Sequence, residues 1–112
     1  MSSGSSASLT VLGRRLRARR EALGWSQEKL GVLIGLDESS SRARISRYEL
    51  GVHEPHVVTA QLLAKALRVP LAFLYCDDDD VALLLAALFD QPRSRRREIV
   101  GTLLRTLEGS SQ

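Results

Sequence analysis

Between Leu9 and Leu74 the apolar residues keep helical spacing, and Gly24, Gly35, Gly51, Pro55 and Pro70 break that spacing at short intervals. Glycine accepts the left-handed conformation in which helices often end, and proline suits a helix's first turn. The chain is thereby confined to short helices joined by tight turns. No segment shows convincing strand alternation. Hydrophobic residues make up 44% of the chain but aromatic ones only 4%. The core must be built from Leu, Val, Ile and Ala, which suits packed helices better than aromatic-rich strands. The expected fold class is all-α, in one domain's length of 112 residues.

The periodicity predicts seven helices. The first covers Leu9 to Leu23, with Leu12, Leu16 and Leu23 on one side, Ala22 beside them and arginines over the rest. Ser26 is a good N-cap for the second, with Glu28 in its positive first turn. This helix runs to about Ile34, with Leu30, Leu33 and Ile34 inward. Asp37 to Ser41 is polar and reads as a loop. The third helix follows from about Arg42 to Leu50, with Ile45 and Tyr48 inward. The fourth spans Val57 to Leu67, burying Leu62, Leu63, Ala66 and Leu67. Pro70 opens a short fifth, whose Leu71, Phe73 and Leu74 cap the core. Asp77 to Asp80 reads as an N-cap with charges at the positive end of a sixth helix, Val81 to Phe89. That helix has no polar face and must be buried on several sides. Pro92 breaks it. A seventh runs from Ser94 to Leu107, with Ile99, Val100, Leu103, Leu104 and Leu107 in one stripe.

The net charge is +3, and it is unevenly placed. Residues 9–56 carry nine Arg/Lys against six Asp/Glu, residues 57–80 two against four, and residues 81–112 five against three. The basic excess sits in the first half and in the tail, which favours a nucleic-acid partner. Cys76 is the one cysteine, so no disulfide within the chain is possible and a cytoplasmic location is expected. No apolar run reaches the ~18 residues of a membrane span. Met1 to Ser8 lacks the features of a signal peptide and reads as a flexible leader, and residues 109–112 as a flexible tail. No nucleophile set, phosphate loop or metal-ligand spacing points to an enzyme, a metal or a cofactor. His53 and His56 read as surface histidines.

Two helices that cross closely need a small residue where they touch. Gly31, four residues after Gln27, is placed for that contact, and Gly35, four further on, gives the sharp exit. The next helix then carries Arg42, Arg44, Ser46 and Arg47 outward. With Leu16, Arg20, Leu23, Gly24, Ser26, Leu30, Ile45, Tyr48, Glu49, Gly51, Pro55, Leu62, Ala64, Ala66, Leu67, Val69, Pro70 and Leu71, the chain resembles the phage-repressor-like (XRE, or Cro-like) helix-turn-helix family over about residues 9 to 75. The resemblance implies a five-helix domain whose third helix reads the major groove, here followed by two C-terminal helices. It also implies that Gln27 holds a phosphate at the start of the second helix. Arg20 pairs with Glu49 as a structural ion pair in the same pattern. Three departures stand out. Leu36 and Ile45 are separated by eight residues, about four more than the family's usual turn, so Asp37 to Ser41 either bulges or lengthens the third helix at its start. Val52, His53 and Glu54 stand where basic residues often follow Gly51. The small residue in the second helix is Gly31, not the usual Ala.

The expected domains are a leader at 1–8, a DNA-binding domain at 9–76 and a dimerisation extension at 77–108. The expected function is a DNA-binding transcriptional regulator, a repressor acting as a homodimer through its C-terminal helices on double-stranded DNA. The bases are to be read among Arg42, Arg44, Ser46 and Arg47, and some of Arg14, Arg15, Arg17 and Arg19 can reach the DNA backbone, although five arginines on one helix cannot all face DNA. The alternatives are an antitoxin that also grips a toxin partner, and an interaction module that has lost DNA binding. No membrane partner is expected.

Overall fold

A computed structural model describes residues 8–110. The expected leader therefore lies outside the described residues except for Ser8, as do residues 111 and 112 of the expected tail. Seven helices follow in order: α1 (Val11–Ala22), α2 (Gln27–Leu33), α3 (Glu38–Leu50), α4 (Val57–Leu67), α5 (Leu71–Tyr75), α6 (Asp79–Phe89) and α7 (Arg93–Ser110). There is no strand among the described residues. Among the described residues no helix is long and apolar enough to cross a membrane.

The helix starts follow from capping. Thr10 Oγ1 accepts from Gly13 N at 3.0 Å at the head of α1. Leu9, expected inside that helix, lies before it, and its N–H donates to Leu50 O. Ser26 Oγ accepts from Lys29 N at 3.0 Å, as an N-cap should. Asp78 caps α6 by accepting from Val81 N. The run Asp77–Asp80 thus supplies a cap and first-turn charges, as its position suggests. Gly24, Gly35 and Gly51 all have left-handed backbone, so each predicted glycine stop is one.

Helices α1 to α5 share one core of Leu12, Leu16, Leu30, Ile45, Tyr48, Leu63, Leu67 and Leu74 with their neighbours. Two glycines set how closely the helices approach. A Cβ on Gly31 of α2 would lie 2.4 Å from Ser41 Cβ of α3, and one on Gly13 of α1 would lie 2.4 Å from Glu49 O. Gly31 was legible in the sequence; Gly13 was not.

The segment Asp37–Ser41 is not a loop. Asp37 occupies the N-cap position of α3 without a capping bond from its side chain, and residues 38–41 form the first turn. Asp37 O accepts from Ser40 N, Ser41 N and Ser41 Oγ. Ser41 is fully buried against Gly31. Serine and aspartate favour turns when isolated, but here the tertiary contact decides. Inward positions also need correcting. Leu33 and Leu62 are 51% and 44% exposed. The stripe that buries α4 is Ala60, Leu63, Ala64 and Leu67, and Leu62 falls on its outer side. Ala22 is exposed too.

Helix α6 lies along α1 and is held at both ends. Arg15 Nε donates to Cys76 O at 2.8 Å, and its guanidinium stands 2.8 Å from Asp79 Oδ1. That second contact is a charge contact without hydrogen-bond alignment, since Arg15 Nη2 is buried and makes no hydrogen bond. Arg19 Nε donates to Leu67 O at 2.9 Å and its Nη2 reaches Asp90 at 3.5 Å. Only Ala82 of α6 is buried. The expected burial of α6 on several sides is not met within the single chain. Helix α7 leans on α6, where Arg96 stacks on Phe89 at 4.2 Å, and the molecule stretches to 53 × 31 × 25 Å.

Candidate nucleic-acid interface

The outer surface of α2 and α3 is organised by one buried carboxylate. Glu49 sits inside α3 with 4% exposure. Its Oε2 accepts from Arg20 Nε at 2.6 Å and its Oε1 from Arg20 Nη2 at 3.0 Å, a bidentate pair between α1 and α3. Gln27 Nε2 donates to the same Oε1 at 3.0 Å, and Arg20 Nη1 donates to Trp25 O at 2.8 Å. The hydrogen bond that Arg20 donates to Glu49 is the largest of the effects that raise the Arg20 pKa, so this guanidinium stays charged. Three helices and the α1–α2 turn are thereby locked at one point. The ion pair expected between Arg20 and Glu49 is present, and Gln27 joins it.

In front of this lock lies an open cleft of about 610 Å³, lined by Arg17, Ser26, Gln27, Glu28, Arg42 and Ser46 among others. It brings three of the expected DNA-contacting residues together: Gln27, Arg42 and Ser46. Arg44 and Arg47 are exposed on α3 but lie outside the cleft. Glu28 and Glu38 meet beside Arg42. A hydrogen bond with Glu38, then the charge of Glu38, pushes the Glu28 carboxyl up from its ordinary value, while Arg42 opposes the shift. This acid pair did not emerge from sequence reasoning. Its one signal is Glu38 standing four residues before Arg42, a spacing that puts both on one helix face.

The arginines of α1 are mostly committed within the protein. Arg15 and Arg19 hold α6, and Arg20 holds Glu49. Arg17 pairs with Glu21 at 3.1 Å, four residues on, and also borders the cleft. Arg14 Nη1 also stands 4.0 Å from Asp79 Oδ1, so of the α1 arginines not paired with Glu49 it is Arg17 that borders the cleft. His53 and His56 are exposed. Among the described residues no group of His, Cys, Asp and Glu is arranged to hold a metal.

The helix-turn-helix family model HTH_3 matches residues 16–74. An uncharacterized HTH-type transcriptional regulator of Sinorhizobium medicae (strain WSM419) is 36% identical over 66 residues. The match covers 59% of this chain and 45% of that protein, so the chain spans about half the relative's length. The uncharacterized HTH-type transcriptional regulator R00410 of Rhizobium meliloti (strain 1021) matches to the same degree. The crystal structure of the transcriptional regulator BswR is similar with a TM-score of 0.77 and 37% identity, covering 87% of this chain and 96% of that one. That coverage exceeds the share of the chain held by residues 9–76, so the likeness continues into the C-terminal helices.

Proposed function

Because the chain belongs to the helix-turn-helix family of DNA-binding transcriptional regulators, we propose that it is a repressor that binds a near-palindromic operator as a homodimer. Residues 9–76 are the DNA-binding domain and residues 77–108 the dimerisation extension. The observation that carries this reading is the rigid presentation of α3. The helix is pinned by Gly31 against Ser41 and by Glu49 against Arg20, and its arginines 42, 44 and 47 stay exposed. A basic helix held so firmly by its neighbours suits the major groove. Gln27, at the first turn of α2, borders the cleft where a phosphate would approach. Two copies of α3 related by a two-fold axis would meet half-sites about one turn of DNA apart, or a multiple. A bound dimer can repress by occupying a promoter, without a small-molecule signal. Such a protein acts in the cytoplasm.

Selection from a random DNA pool tests the reading. One motif with internal two-fold symmetry is the expected product. Binding to that motif should weaken steeply with salt, with a log–log slope of about −0.9 for each phosphate neutralised. Absence of any enriched sequence, or a slope near zero, removes DNA reading from this chain. The exposed apolar surface of α6 and α7 also suits a foreign protein. If the particle isolated from the native host contains a second polypeptide there, the chain is an antitoxin of the same fold.

A further inference from the structure

This inference rests on the reading that α3 enters the DNA groove; it concerns which side chains read bases and which hold phosphate. The buried face of α3 consists of Ser41, Ile45, Tyr48 and Glu49. Successive residues of a helix are rotated by about 100°. The direction opposite that buried face therefore falls nearest Ala43, with Leu50, Arg47 and Ser39 around it, all four exposed, and Ser40 and Ser46 at its edges; Leu50 is the last residue of the helix, so Ser39, Ala43 and Arg47 form the crest of its body. The same rotation places Arg42 and Arg44 about 160° apart, one on each flank of the crest. Arg42 lies on the cleft side with Glu28, and Arg44 on the other side.

The geometry points to a division of labour: Ser39, Ala43 and Arg47 read base edges, while Arg42 and Arg44 hold the two phosphate backbones that border the groove. A helix with its side chains is about 10–12 Å across, and the major groove is about 12 Å wide. A long side chain on the crest of the entering half would hold the helix off the bases. Ser39 and Ala43 are short, so the first two turns of α3 can approach closely. Flanking guanidiniums then point toward the groove walls, where the phosphates are. Base contacts come mainly from the N-terminal residues of a recognition helix, which here are the turns around the Gly31–Ser41 crossing. Ala43 offers a methyl group alone, which matches the 5-methyl of thymine. Ser39 can donate or accept at a neighbouring edge, and Arg47, one turn on, suits guanine. That DNA is the ligand comes from the family; the assignment of roles comes from the placement of the side chains.

The test uses the full chain and the operator motif selected by the wild type. Arg42→Ala and Arg44→Ala should each weaken the operator and scrambled DNA by the same factor, and each should reduce the salt slope by about 1. Ala43→Gln should enrich a different base at one position of each half-site. Replacing thymine by uracil at that position should weaken the wild type about fourfold, roughly what burying one methyl group is worth, and leave Ala43→Gln unaffected. Ser39→Ala should relax preference at an adjacent position. All these positions are exposed, and unchanged thermal unfolding of each variant would confirm intact folding. If Ala43→Gln and Ser39→Ala both select the wild-type motif while Arg42→Ala or Arg44→Ala shifts it, the division of labour is overturned and α3 remains the reader. If the wild type selects no motif, the parent reading fails first.

Discussion

Glu49 receives three hydrogen bonds on two oxygens while almost wholly removed from water. A buried ion pair adds little over an apolar replacement, but removal of one partner strands the other. Glu49→Ala should therefore lower unfolding free energy by about 3–5 kcal/mol, measured by urea denaturation, because Arg20 would be left buried and charged. Replacing both residues by Met should cost less than Glu49→Ala alone. A double variant as unstable as the two single losses combined would contradict this account. Glu28 and Glu38 behave differently, since Glu28 is fully open to solvent. Their contact favours the protonated form, so what it contributes to stability is present at acid pH and is lost as pH rises through the raised Glu28 value. An approaching phosphate favours that proton still more. DNA affinity should thus increase as pH falls through the carboxylate range, by at most about tenfold per pH unit for one proton taken up. Glu38→Gln should abolish this part of the pH profile. A wild-type profile identical to that of Glu38→Gln would show that the pair does not face DNA. The Arg20–Glu49 pair could be expected from the family resemblance. The acid pair could not, because its two members come together only once α2 and α3 have crossed.

Helix α3 shows how four added residues are absorbed without disturbing a site. Relative to the family's usual spacing, the chain between Leu36 and Ile45 is longer by about one helical turn. Four residues rotate a helix by about 400°, only 40° beyond a full turn. Ser41, Ile45 and Glu49 therefore lie nearly above one another, and the inward face continues without a break. The sequence offered two outcomes, a bulge or a longer helix, and the polar run Asp37–Ser41 favoured a loop on composition. What selects the helix is the cavity that Gly31 leaves, which a serine fills and a larger residue could not. That information lies in the pairing of two residues ten positions apart, not in either segment alone. Gly31→Ala tests the pairing. Its Cβ would stand 2.4 Å from Ser41 Cβ, so backbone must shift, and unfolding should become easier by about 1–3 kcal/mol. DNA affinity should fall as well, because α3 would move relative to α2. Unchanged thermal unfolding would mean that α2 and α3 are less closely packed than the structure has them. Gly24, Gly35 and Gly51 were legible because each acts through its own backbone. Gly13 was not, since its partner is a carbonyl of α3 more than thirty residues away.

The molecule as a whole leaves its C-terminal third uncovered. Leu83 is 70% exposed on α6, Leu104 53% and Leu107 65% on α7, and Val81, Leu84 and Phe89 are also open to solvent. The sequence predicted both apolar helices, and predicted that α6 must be covered. It gave no sign of how the pair is attached. Arg15 and Arg19, two of five arginines that cannot all face DNA from one helix, fasten α6 to α1 at its two ends, at Asp79 and Asp90. Helix α6 is therefore tied to α1, which itself packs on α3, and a dimer formed through the extension would set the spacing between the two reading helices. Exposed apolar surface on this scale ordinarily marks an interface. The expected result is a dimer for the full chain in sedimentation equilibrium, with thermal unfolding that rises with protein concentration. Leu83→Glu combined with Leu107→Glu should give a monomer whose helical circular dichroism is unchanged, because both positions are solvent-exposed in the single chain. That monomer should bind a single half-site as well as the wild type does, but lose most of its affinity for the full operator. A double variant that remains dimeric with unaltered affinity would move the interface off the extension, and α6 and α7 would then serve another partner.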